Sequence, residues 1–126
     1  MDRKIEKRRL LDADMTLERL AGDEAVLSAV ARNFTEVAPQ LVDSINTALA
    51  RNDLKSAFAH AQSLKGAVAA FEAPQVLNSV LNLERHALNE DLNAAAHALP
   101  TTQALLEGLI VELSSVVGQA PRRARA

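Results

Sequence analysis

Apolar residues recur at steps of three and four along most of this chain, a spacing that specifies helices. Val26, Leu27, Val30, Phe34, Val37, Leu41, Ile45, Ala48 and Leu49 form one stripe on a long amphipathic helix. Val76, Leu77, Val80, Leu81, Leu83 and Leu88 form a second, and Leu105, Leu106, Leu109, Ile110, Leu113 and Val117 a third. No segment carries a strand signal. Aromatic residues make up 2% of the chain, which argues against a β-sandwich or barrel and against base-stacking platforms for single-stranded nucleic acid. Stripes of this kind are buried only against one another. The expected fold is therefore all-α: an up-and-down four-helix bundle with a short N-terminal cap helix.

Glycines, prolines and capping residues set the expected boundaries. Residues 1–13 form a basic N-terminal extension able to make a short lead-in helix, and the bundle spans 14–118. Thr16 to Leu20 reads as one or two helical turns closed by Gly22, and Asp23 caps the long helix. Pro39 is expected to kink that helix or split it near Val37. Asp53 caps the next helix, from about Leu54 to Glu72, and Pro74 opens the third. Asn89-Glu90-Asp91 is a polar break, a short turn runs to Leu99, Pro100 opens the last helix and Gly118 stops it. Residues 119–126 read as a disordered basic tail.

Several function classes fall away. A chain of 126 residues is one domain with its own core. The absence of cysteine excludes disulfides, thiolate zinc sites and thiol catalysis. A net charge of −2 gives no global attraction to nucleic acid or membrane. The chain has neither an apolar run long enough to span a bilayer nor the apolar stretch of a signal peptide at its N-terminus, so a soluble cytoplasmic protein is expected. His60, His86 and His97 lack metal-ligand spacing, there is no Glu-x-x-His, and no Gly-rich phosphate loop, HExxH or GxSxG motif occurs. No metal and no cofactor is expected.

The segment 57–71 differs from the other helices. On a helical wheel Ala57, Ala61, Val68 and Phe71 fall within about 60° of Leu64 and form the core face. His60 lies about 40° to the other side, at the core edge. Gln62 points outward, about 160° from Leu64, with Gly66 and Ala69 beside it. Lys65 flanks this face and Lys55 lies two turns earlier. A glycine inside a helix costs about 1 kcal/mol against alanine, and close approach by another surface would justify that cost.

Gln62-Ser63-Leu64-Lys65-Gly66 resembles the core of the histidine-containing phosphotransfer (HPt) domains of two-component phosphorelays, whose usual pattern is His-x-Leu-Lys-Gly followed by small residues. The likeness extends to the opening turn Leu17 to Glu24, to Phe34 and Pro39 in the long helix, to Asp53, and to Leu83-Glu84, covering roughly residues 12–115. Two positions depart from the pattern: the family's phosphoaccepting histidine falls at Gln62, and a common glycine falls at Glu72. The resemblance implies docking of a receiver domain of a response regulator or hybrid kinase, or of a histidine kinase, through Lys55, Gln62, Ser63, Lys65, Gly66 and Ala69. It also implies that Lys65 stands where the family's lysine helps to neutralise the phosphoryl group. Gln62 offers no nucleophilic nitrogen, because its amide lone pair is delocalised into the carbonyl. The expected protein is thus a monomeric pseudo-phosphotransfer module acting as inhibitor, binder or scaffold, and at most a phosphotransfer intermediate rather than an enzyme. The alternatives are active phosphotransfer, with His60 as acceptor or with Gln62 an engineered replacement of histidine, and a structural or dimerisation bundle without a phosphorelay partner.

Overall fold

Four aspartates begin four of the helices. Their carboxylates accept the free N–H groups of the first turn, which no intrahelical carbonyl can reach. Asp12 accepts from Met15, Asp23 from Ala25 and Val26, Asp53 from Ser56 and Asp91 from Ala94. The computed structural model describes residues 9–125, with side chains for 9–117. Its helices are α1 (Ala13–Arg19), α2 (Glu24–Ala50), α3 (Leu54–Val68), α4 (Pro74–Leu88) and α5 (Leu92–Arg125), with no strand among the described residues. Pro74 occupies the first turn of α4, where its missing N–H has no cost. Gly22, at φ 74°, closes α1 by donating its N–H to the Leu17 carbonyl at 2.8 Å.

The long helices close into a ring. α2 packs on α3 and α5, and α4 packs on the same two helices from the other side. Three short connections, 51–53, 69–73 and 89–91, turn the chain back each time. Phe34, Ile45, Leu64, Leu83, Leu106, Leu109 and Leu113 fill the centre with almost no exposure. The all-α four-helix bundle expected from the stripes is the observed architecture. No described helix is long and apolar enough to cross a membrane.

Neither Pro39 nor Pro100 splits the helix that contains it. α2 runs without a break through Pro39, and α5 starts at Leu92 and continues through Pro100. Each proline strips the donor from the carbonyl four residues earlier. Those carbonyls belong to Thr35 and Ala96, which are exposed like the prolines themselves, so solvent takes over. Asp91, not Pro100, supplies the start of α5. At the other end the α5 backbone remains helical to Arg125, through Gly118, where a stop and a disordered tail were expected. A single glycine weakens a helix by about 1 kcal/mol and does not by itself end it.

Two further boundaries differ from expectation, and long-range contacts cause both. α3 ends at Val68, not Glu72, because the chain turns to bury Phe71 and Ala73. Phe71 meets Phe34 edge to face at 5.3 Å. Residues 1–8 of the expected lead-in lie outside the described residues, and residues 9–12 are not helical. Instead the N–H groups of Leu10 and Leu11 donate to the Glu112 carboxylate at 2.9–3.1 Å. Leu10 fills the space left by Gly108, where an added Cβ would stand 2.8 Å from its Cδ1.

α1 is clamped to the chain just beyond α3. The Asp12 N–H donates to the Glu72 carbonyl at 2.7 Å. Thr16 is fully buried; its hydroxyl donates to the Asp12 carbonyl at 2.8 Å and accepts the Glu72 N–H at 2.9 Å. Arg19 bonds the Glu72 carboxylate at 2.6 Å and the Ala69 carbonyl at 3.2 Å. Replacing Thr16 with valine keeps the shape but leaves the Glu72 N–H without its acceptor. Thr16→Val is therefore expected to lower unfolding free energy by about 1–3 kcal/mol in urea denaturation.

Asp53 supplies a pH prediction. Its carboxyl is held below the ordinary value, first by the Ser56 hydroxyl and then by the Ser56 N–H. A folded pKa below the unfolded one stabilises the fold above the unfolded pKa, and that contribution disappears as pH falls through the folded value. Asn caps nearly as well but does not titrate. The Tm of Asp53→Asn should therefore fall less than that of the parent when pH drops from about 6 to about 3. Parallel Tm–pH curves would contradict it.

Candidate functional site

The rotation of α3 about its axis decides which side chains reach solvent. Ala57, Ala61, Leu64 and Val68 are at most 1% exposed, so the opposite side must face outward. Lys55, Gln62, Ser63, Gly66 and Ala69 are exposed there, as the periodicity requires. The structure thus places the expected residues along α3, with Ala69 just past its last residue, and the side chain of Gln62 is exposed. Ser63 only back-bonds weakly, its hydroxyl 3.4 Å from the Ala59 carbonyl.

Gly66 has no structural reason inside the fold. A Cβ built there meets nothing within 4 Å. The helix is therefore weakened at this position without any internal contact that requires glycine. Gly108 is the contrast, since Leu10 occupies the space its side chain would need.

Lys65 is not a free lysine. Its Nζ donates to Glu84 Oε2 at 3.0 Å, forming an ion pair whose side chains are 37% and 11% exposed. Glu84 is one of the few buried polar residues of the protein and sits among Val76, Val80, Leu83 and Ala87 on α4. Sequence reasoning missed this partner. The available signal was a glutamate on the apolar side of a helix, where a carboxylate needs a cation.

The pair also orients the neighbouring helix. Glu84 marks the side of α4 that faces α3, and Ser79, bonded to Thr102 at 2.7 Å, marks the side that faces α5. Leu81 lies about 60° beyond Glu84, on the outward margin of the α3 side, and Leu88 follows seven residues later. They are 38% and 62% exposed. Two apolar residues expected in the buried stripe of α4 are thus exposed instead, and the sequence-derived site did not include them. Arg85 turns its guanidinium to the Asn82 carbonyl, on the α5 side.

His60 belongs to a different surface. It is half-buried on the α2 side of α3 and lines a shallow groove with Asp43, Ser44, Thr47, Arg51, Asp53 and Ser56. Lys65 and its partner lie on the opposite flank. His86 is half-buried and His97 exposed. Among the described residues no cluster of three or more His, Asp or Glu side chains is placed to hold a metal ion.

A family model described as "Hpt domain" matches residues 29–116, well over half of the chain, from α2 into α5. Comparison with curated proteins and with solved structures gives no match.

The open space at Gly66 makes a direct prediction. Gly66→Ala is expected to raise unfolding free energy by about 0.5–1 kcal/mol in chemical denaturation. A loss of stability would reveal an internal contact that requires the glycine.

Proposed function

The chain belongs to the Hpt domain family, phosphotransfer carriers of two-component phosphorelays that interact with receiver domains and histidine kinases; from that premise we propose that it docks a receiver domain without accepting its phosphoryl group. One observation carries this reading: an exposed carboxamide at residue 62 beside a glycine that the fold itself does not need. Accepting phosphorus takes a nitrogen with a free lone pair near neutral pH. An amide nitrogen has none. His60 does not replace it, because it lies on the α2 flank, and in-line phosphoryl transfer depends on alignment of the reacting atoms.

The docking surface in this reading comprises Lys55, Gln62, Ser63, Lys65, Gly66 and Ala69. The protein acts as a cytoplasmic monomer that sequesters a receiver, competes for it with a working phosphotransfer protein, or holds it on a scaffold. Small residues at 66 and 69 let the partner's backbone approach α3 closely.

The test is transfer from a radiolabelled phospho-receiver, followed by a search for acid-labile phosphohistidine. The parent chain should stay unlabelled while Gln62→His becomes labelled. Label on His60 of the parent chain would overturn the reading in favour of active phosphotransfer. In a binding titration Gly66→Ala should fold normally yet bind the receiver at least about fivefold more weakly, the effect of about 1 kcal/mol of overpacking in the interface. Unchanged affinity would remove Gly66 from the docking surface.

A further inference from the structure

A groove of about 370 Å³ opens where α1, the start of α2 and the later part of α5 meet. Its apolar lining includes Leu11, Leu17, Leu27 and Val116. Its charged lining is Asp14, Glu24 and Glu112 with Arg9, an excess of two negative charges. An occupant that fits must bring an apolar side chain with cations on both sides of it. The chain carries that pattern in Arg3-Lys4-Ile5-Glu6-Lys7-Arg8. Residues 2–8 together have an excess of two positive charges, the complement of the groove.

The place where this stretch joins the described chain is equally specific. Arg9 already lines the groove, and the N–H groups of Leu10 and Leu11 are tied to Glu112 in its wall. Ile5 is four residues from Arg9, and an extended chain of that length spans about 13 Å. A tether this short gives an effective concentration of about millimolar or more, ahead of a free competitor of the same chemistry. A second depression beside Arg9, toward Pro74 and Gln75, is lined by Asp12 and Asp14 but by none of Leu17, Leu27 and Val116.

We propose that residues 3–8 are the occupant of this groove, with Ile5 against Leu17, Leu27 and Val116 and the flanking cations against Asp14, Glu24 and Glu112, and that their seating holds α1 in place. α1 is the helix whose Thr16 accepts the Glu72 N–H and whose Arg19 bonds the Ala69 carbonyl. The seated stretch therefore acts on the end of α3 through α1. This is independent of whether a receiver docks on α3.

The test uses the full chain with labelled isoleucine, leucine and valine methyl groups, read by nuclear Overhauser cross peaks. The sequence has three isoleucines, Ile5, Ile45 and Ile110, and the Ile5 signal is assigned by its loss in Ile5→Val. In about 50 mM NaCl the Ile5 methyls should show cross peaks to Leu17, Leu27 or Val116. The peaks should weaken in about 1 M NaCl, where the screening length is about 3 Å. Ile5→Asp and Lys4→Glu/Lys7→Glu each set negative charge against the acidic lining without changing any residue of the bundle. Both should abolish the contact and speed hydrogen exchange of the Glu72 amide by about two- to fivefold, the range of an exposed charge contact. An Ile5 methyl without cross peaks to the groove at low salt overturns the proposal, as does unchanged Glu72 exchange in both variants. Cross peaks found only between chains, in a mixture of differently labelled copies, overturn it in favour of a second copy. A groove that binds an added peptide of residues 2–9 while Ile5 of the intact chain makes no contact overturns it in favour of a basic partner segment.

Discussion

Burial of Leu64 and Val68, with Ala57 and Ala61 below them, locks α3 at one rotation, and the candidate face exists only because of that lock. Each large apolar side chain contributes about 1.5–3 kcal/mol when withdrawn from water. Turning the helix by one residue would exchange Leu64 for Lys65 in the core, losing that contribution and stranding a charge. The two alanines matter as much as the larger side chains. Their small volume lets α2 and α4 close over α3, which keeps its outward strip narrow and bordered by both neighbours. The carboxamide at 62 is exposed because packing on the other side leaves no alternative.

The ends of α3 are held by different chemistry. At the start, Asp53 caps the first turn with help from Ser56. At the finish, α1 takes over: Arg19 bonds the Ala69 carbonyl, and Thr16 and Asp12 bond the backbone of Glu72. The cap helix thus supplies what the sequence of α3 lacks at its C-terminus, where no glycine in the left-handed region ends the helix. Glu72, which departs from the family pattern, is the residue on which these contacts converge.

What was legible in the sequence was what depends on near neighbours or on a simple period. Asp23, Asp53 and Pro74 start helices for reasons contained within a few residues. Gln62 faces outward because the apolar period of α3 says so. What was not legible depended on residues far away in the chain. The partner of Lys65 lies nineteen positions on, and no local rule gives the register between α3 and α4. Pro39 suggested a kink or a split and Pro100 a helix start because their local penalty is large, but α2 and α5 run on through these exposed positions, where packing along the helix outweighs one lost hydrogen bond. The early end of α3 follows from Phe71 finding Phe34 across the core, a contact between helices that no window along the chain contains.

The seat of Leu10 over Gly108, with Glu112 gripping the neighbouring backbone, has a consequence for the order of folding. These bonds join residues 101 and 102 positions apart. Loop closure over that span is entropically costly unless the intervening helices have already compacted. The helix pairs rest on nearer contacts, so the segment at residues 10–11 is expected to seat onto the four long helices late in assembly. Its release would be a local opening that uncovers Leu11 and Gly108 while the contacts among the four long helices remain.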